Sequence, residues 1–136
     1  MAKYAAYGTA LKKGGVEYAN VKSISGPSLK LDTVDVTSHD QTTAWEEVIG
    51  TILRSGEVTM ELVYDPANAT HKYAAGGLLY DLAARTAIEF TLVFSDVATT
   101  TWTFSAFVTG FEPSAPVDGA LTATVTFKLT GAPTLV

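Results

Sequence analysis

Residues 121–129, LTATVTFKL, alternate without a break. Leu121, Ala123, Val125, Phe127 and Leu129 fall on one side, and Thr122, Thr124, Thr126 and Lys128 on the other. A period of two describes an extended strand with one face on a core and the other toward water or a partner; a helix would scatter these residues around its circumference. The same pattern places Val58, Met60, Leu62 and Tyr64 opposite Glu57, Thr59 and Glu61. It also places Ile88, Phe90, Leu92 and Phe94 opposite Glu89 and Thr91, and aligns Trp102, Phe104, Ala106 and Val108. Threonine-rich polar faces suit a pleated, half-exposed surface. Phe107 and Phe111 fall on the opposite face of their strand. They mark either a second contact surface or a central strand covered on both sides.

Earlier strands are expected over residues 16–24 and 29–36, separated by a Gly26-Pro27 turn. In the second, Leu29 and Leu31 share a parity that Val34 and Val36 do not, which predicts a β-bulge or bend near Asp32 and Thr33. Residues 66–85 alone read as helical. Asp65 or Asn68 can cap the start, Pro66 suits the first turn and Arg85 the last, and Ala75, Leu78, Leu79 and Leu82 form a stripe. Gly76-Gly77 within it costs about 1 kcal/mol per glycine, which implies close packing on a sheet or a break in the helix. The expected fold is mainly β: an antiparallel β-sandwich or barrel with one flanking α-helix and a long inter-strand loop.

That loop is residues 37–55, which follow neither period. Structureless connections beyond about 12–15 residues are uncommon in compact domains unless functional or disordered. This one carries Trp45, Val48, Ile49, Ile52 and Leu53, too many large apolar groups for a solvated loop. Their cover is either the flank of the same domain or a neighbouring subunit.

The chain has 136 residues, enough for one domain with one core, here expected to span 1–136, and no cysteine, which removes thiolate metal sites, disulfides and Cys nucleophiles. No run approaches the roughly 20 apolar residues of a membrane span. Residues 1–15 lack the apolar stretch of a secretory signal, so a protein made in the cytoplasm of its host cell is expected, with no domain after Val136. The net charge of −5 is unevenly spread. Residues 1–30 hold Lys3, Lys12, Lys13, Lys22 and Lys30 against Glu17, whereas residues 31–136 hold thirteen acids against four bases. Chance clustering on a solvated surface is one reading. The other is a subunit with a positive and a negative end, which complementary potentials steer into head-to-tail association. Tight DNA binding is not expected from so acidic a chain.

Motifs for chemistry are weak. Asp32, Asp35, His39 and Asp40 offer oxygens and a nitrogen over a short stretch, but the EF-hand pattern is absent, and no metal is assigned. His39 and His71 read as exposed polar residues, with no Gly-x-Ser-x-Gly elbow to support a nucleophile. The adjacent Glu46 and Glu47 diverge on either a strand or a helix, a poor geometry for paired carboxylates. Lys12-Lys13-Gly14-Gly15 has its glycines after its lysines and precedes a strand, so it is a turn with a basic tip rather than a phosphate loop. Trp102 shares the parity of core residues; Trp45 has no evident inner face. No catalytic, cofactor or metal residue is assigned. The competing expectations are a monomeric β-sandwich binding module for carbohydrate or protein with Trp45 exposed, and a small β-barrel enzyme using His39 or His71.

The order of these strings resembles the tail tube proteins of long-tailed bacteriophages over most of the chain. Tyr7-Gly8-Thr9 through Val16-Glu17-Tyr18 is similar to the family's N-terminal strand and turn, and Val34-Asp35-Val36-Thr37-Ser38 to the strand entering its long loop. Gly56 to Glu61, ending at Tyr64-Asp65-Pro66, resembles the return strand and helix entry. Residues 107–111, with Pro113 and the turn Pro116-Val117-Asp118-Gly119, resemble the last hairpin. The resemblance implies a virion component assembled in the host bacterial cytoplasm, as stacked hexameric rings whose inner sheets join into one barrel. Its partners would be further copies of itself, a tape-measure protein, and tail tip and terminator proteins, with DNA passing through the lumen without specific binding. It further implies that the N-terminal arm, residues 1–15, and the loop, residues 37–55, contact adjacent subunits or rings. The inter-subunit residues expected on this basis are Lys12, Lys13, Asp40, Trp45, Val48, Ile49, Ile52 and Leu53.

Overall fold

The computed structural model describes residues 3–40 and 42–135. Met1 and Ala2 of the expected arm, Gln41 of the expected loop, and Val136 lie outside the described residues. Seven strands form one antiparallel sheet: β1 (Ala10–Lys13), β2 (Val16–Glu17), β3 (Val21–Ser25), β6 (Glu57–Val63), β7 (Ile88–Val93), β8 (Thr101–Ser114) and β9 (Thr122–Thr134). Their spatial order is β2-β1-β7-β8-β9-β6-β3, while β4 (Lys30–Asp35) and β5 (Val48–Arg54) make a separate two-stranded sheet. The sheet's two ends, β2 and β3, are consecutive in the chain, and the described residues do not pair them with each other. The expected antiparallel β fold is therefore an open, strongly folded sheet rather than a closed barrel.

Alternation explains the core. Val58, Met60 and Leu62 of β6, Phe90 and Leu92 of β7, Phe104, Ala106 and Val108 of β8, and Ala123, Val125, Phe127 and Leu129 of β9 are all buried, joined by Leu11, Tyr18 and Leu78. Phe90 and Phe127 meet edge to face at 4.9 Å. Fully burying side chains of this size stabilises the fold by about 1.5–3 kcal/mol each. Leu121, expected inward, stands before β9 begins and is partly exposed. In β8 the register shifts between Val108 and Gly110, so Thr109 is the extra residue of a bulge. Parity reverses there. Phe107 points outward, but Phe111 returns to the core side and meets Tyr64 edge to face at 5.2 Å. The expected shared face for Phe107 and Phe111 is thus corrected by one inserted residue.

Three further expectations shift. The helix is α1 (Leu78–Ala84), seven residues rather than 66–85. Before it, Asp65 Oδ1 accepts from the Ala67 N–H, and Asn68 Oδ1 accepts from the Thr70 N–H and hydroxyl. These local bonds give the backbone turns in place of helical pairing. Gly77 then passes so close to the Lys72 carbonyl that a Cβ there would sit 1.8 Å from its oxygen, a contact only glycine permits. Arg85 closes the helix in the left-handed conformation at φ 58°. The strand expected over 16–24 is cut into β2 and β3 by Asn20, at φ 60°. Residues 37–55 are not one loop: β5 occupies 48–54 and pairs with β4, and the register shifts at Leu31–Thr33, where the parity change predicts a bulge, but the inserted residue lies in β5, between Gly50 and Leu53, and not in β4.

Tyr18 is buried, and its hydroxyl has no hydrogen-bond partner among the described residues. Burial raises the phenol's pKa, and the Asp81 carboxylate adds to the rise. A buried, unsatisfied hydroxyl carries a desolvation cost of about 1–3 kcal/mol. Tyr18→Phe is therefore expected to keep or raise the thermal midpoint in a circular-dichroism melt. A fall of several degrees would show that the hydroxyl is bonded in solution.

Candidate assembly surfaces

The β4–β5 hairpin leaves the main sheet through Gly26-Pro27 and returns at Gly56. Both junction glycines have positive φ and press on backbone: a Cβ on Gly26 would meet the Glu57 carbonyl oxygen at 2.4 Å, and one on Gly56 the Ser28 carbonyl oxygen at 2.3 Å. The hairpin is fixed at its base, yet among the described residues β4 and β5 pair with each other and with no other strand. Pairing continues past β4, where the Val36 N–H donates to the Glu47 carbonyl and Thr37 brackets Glu47. Its large apolar side chains stand in solvent. Leu53 is 80% exposed, Ile52 57%, Ile49 53% and Val48 49%, and Leu31 and Val34 are similar. Trp45, in the turn region, is 80% exposed.

The structure therefore gathers Asp40, Trp45, Val48, Ile49, Ile52 and Leu53 onto one projecting element. Leu29, Leu31, Val34 and Val36, read from sequence only as strand residues, complete it. The parity change in β4 was the available signal, because it puts apolar groups on both faces of a strand. Between residues 31 and 53 the hairpin holds Asp32, Asp35, Asp40, Glu46 and Glu47 and no Lys or Arg. Asp32 pairs with Arg54 at 2.7 Å. Asp35 and Asp40 are each held below the usual carboxylate range, Asp35 by the hydroxyl and then the N–H of Thr37, Asp40 chiefly by the hydroxyl of Ser38. Asp32, Asp35 and Asp40 thus each have their own partner, and among the described residues no three His, Asp or Glu side chains form a group that could hold a metal ion.

The two lysines lie apart from the hairpin. Gly14 and Gly15, both at positive φ, turn β1 into β2 as a tight hairpin. Lys12 faces outward across from Glu17. Lys13 is not part of an exposed tip: its Nζ donates to both oxygens of Asp81 at 2.7 Å, and Asp81 on α1 is buried. Asp81 was invisible to sequence reasoning, since it interrupts the apolar stripe of its helix and its partner is 68 residues away.

His71 is also buried rather than exposed. Its Nδ1 accepts from the Asp65 N–H, so its Nε2–H donates to the Ala19 carbonyl at 2.8 Å. With the Ala19 N–H donating to Thr70 Oγ1 and the Val63 N–H to the Asn20 carbonyl, it anchors the link between the sheet's two ends. Both imidazole nitrogens are spent on backbone, so the ring acts as a staple. Beside that link a groove of about 1190 Å³ opens between the N-terminal segment and β3, lined by Tyr4, Tyr7, Val21, Lys22, Ile24 and Trp102 among others. Trp102, expected in the core, packs partly buried against Phe94 at its edge.

No protein-family model matches the chain. No curated protein matches it either. Among solved structures, a chain of the virion of a native gene transfer agent particle superposes with a TM-score of 0.78 at 15% identity, covering 98% of this chain and 99% of that one. A chain from the sheath/tube terminator of an extracellular contractile injection system, in its extended state, gives 0.76 at 15%, covering 100% and 98%. A chain from the tail of the empty gene transfer agent particle, which has C6 symmetry, gives 0.71 at 18%, covering 93% and 94%. The chain thus has the fold of these phage-like tail and injection-system components along its whole described length.

Proposed function

We propose that this chain is a non-enzymatic structural subunit that assembles into stacked rings, forming the tube of a phage-like tail. The observation that carries the reading is the projecting hairpin: apolar groups of this size stay in water only until a partner covers them. The end-to-end fold likeness to tail and injection-system components supports it, and the C6 symmetry of one such tail supports rings of six. Strand pairing around a ring would also occupy the free edges at β2 and β3, which otherwise invite uncontrolled pairing. On this reading the subunit is assembled in the host cytoplasm and resides in the virion. Its partners are copies of itself, a tape-measure protein, and tip and terminator proteins, while DNA crosses the lumen without specific binding. The outer face of β6 and β9, with Glu57, Thr59, Glu61, Thr124 and Thr130, carries one cation, Lys128, set opposite Glu57, and so offers phosphates little to adhere to.

The test is negative-stain electron microscopy with sedimentation velocity over a concentration series of the purified protein. Rings or tubes are expected. A protein that stays monomeric at millimolar concentration, with and without tail partners, would overturn the proposal.

A further inference from the structure

The chain has seven aspartates, and six of them are held by partners. Asp32 pairs with Arg54 and Asp81 with Lys13. Asp35 accepts from the Thr37 N–H, Asp40 from the Ser38 hydroxyl, Asp65 from the Ala67 N–H, and Asp96 from both the N–H and the hydroxyl of Thr100. Asp118 makes no hydrogen bond or ion pair among the described residues. It lies in the exposed turn between β8 and β9, next to a fully exposed Val117. It is also the one aspartate followed by glycine.

An aspartyl side chain can close on its own backbone. The amide nitrogen of the next residue attacks the carboxyl carbon, the bond to the carboxyl hydroxyl breaks, and that hydroxyl leaves as water with the proton of the nitrogen. The product is a five-membered succinimide. Water then opens either carbonyl of the ring. Opening at the side-chain carbonyl restores aspartate. Opening at the α-carbonyl leaves the chain running through the side-chain carbon, as isoaspartate with a free α-carboxylate. Water is lost once and regained once, and no oxidant or cofactor enters. Closure is favoured by a carboxyl free to turn, by a next residue with no side chain in the way, and by a backbone free to bend.

These conditions meet at residue 118. Gly119 presents no side chain, and its N–H donates only to the Pro116 carbonyl, at a long 3.4 Å. Losing that N–H to the ring costs the turn little. Elsewhere the next residue is Thr33, Val36, Gln41, Leu82 or Val97, or it is Pro66, whose nitrogen has no proton to give up. Hydrogen bonds also hold the carboxyls of Asp35, Asp40 and Asp96 below the usual range, in the ionised form, which has no hydroxyl to lose. The tip tolerates the product as well. The last pair of the β8–β9 ladder is Ser114 with Thr122, so one added backbone carbon within residues 115–121 leaves the register intact. We infer that Asp118-Gly119 is a site of spontaneous isoaspartate formation in the folded subunit, and that its product is a substrate for enzymes that methylate isoaspartyl α-carboxylates. This holds whether or not the subunit builds a tube.

The test incubates the dilute full-length chain warm at neutral pH and samples it over weeks. An isoaspartyl methyltransferase with labelled S-adenosylmethionine counts the new carboxylates, and peptide mapping places them. The peptide carrying residue 118 is expected to split into two forms of equal mass, with a minor form lighter by one water. Asp118→Glu, in which the same closure needs a six-membered ring, is expected to lose methyl uptake while melting like the parent. Asp118→Asn is expected to convert faster, because ammonia leaves in place of water. Gly119 is kept in every variant, since a Cβ there would sit 2.8 Å from Pro116 Cγ and shift the turn. No uptake by the parent, equal uptake by the parent and Asp118→Glu, or uptake spread over the other aspartates would each overturn the inference.

Discussion

Replacing residues 31–53 with a two-residue Asn-Gly turn is expected to give a protein that melts within a few degrees of the parent and forms no polymer. The end points follow from the register. Lys30 and Arg54 lie directly opposite each other, so a tight hairpin turn can join them without moving Gly26 or Gly56. Excising only residues 40–52 would remove most of β5 and leave β4 without a partner. The removed segment pairs with no strand of the seven-stranded sheet, and its ion pair, Asp32 with Arg54, is exposed and worth about 0–1 kcal/mol. Assembly, by contrast, loses every apolar side chain of the hairpin between these points. A circular-dichroism melt and sedimentation velocity read the two effects separately. Loss of cooperative unfolding would show that the hairpin packs on its own sheet, and surviving polymer would show that assembly runs through other surfaces.

Where sequence failed to foresee the structure, the determinants were not periodic. Strands were legible because one buried face imposes a period of two, and Val58 to Leu62 or Ala123 to Leu129 could have no other role. The irregularity in the β4–β5 pair was legible in position only: from Leu31 to Thr33 β4 advances two residues while β5 advances three from Leu53 to Gly50, so the inserted residue is in β5, and β4 keeps its alternation with Leu31 and Val34 on opposite faces. The bulge at Thr109 was not, because Phe107 and Phe111 share a parity whether or not a residue between them is extra. The helix was overextended because Asp65 and Asn68 look like helix caps but close turns of their own, and because the close approach of Gly77 to the Lys72 carbonyl, a local turn contact, leaves no mark in the apolar spacing. The hairpin was half legible. Its surplus of apolar groups showed in residues 45–53, but β5 did not, because Val48, Ile49, Ile52 and Leu53 keep no single face when both faces are apolar. Asp81 and His71 could not be found at all. Each is buried by a specific bond to a distant residue, Lys13 and Ala19 respectively, and neither bond leaves a pattern in the chain.

The two adjacent lysines are expected to separate folding from assembly. In Lys13→Met the carboxylate of Asp81 would lie buried without its ammonium, a loss of about 3–5 kcal/mol for breaking a buried pair. Lys13 is itself a quarter exposed, so the lower end applies, and the thermal midpoint should drop by roughly 10 °C. Adding Asp81→Leu should restore much of it, because a buried pair replaced by apolar groups is often neutral. Lys12→Glu is the opposite case. The side chain points outward, the new carboxylate faces Glu17 across the strands, and that repulsion costs about 0.2–1 kcal/mol. Its effect should fall instead on elongation, followed by light scattering. Exposed charges act mainly on association rate, and the slowing should fade with added salt as the Debye length shrinks below about 8 Å. A charge reversal at both lysines would confound the two, since an unfolding subunit also fails to elongate. If Lys13→Met melts like the parent yet elongates slowly, the ammonium serves a neighbouring subunit and its bond to Asp81 is dispensable. If Lys12→Glu elongates at the parent rate at every salt concentration, the gathering of lysines before residue 31 has no part in assembly.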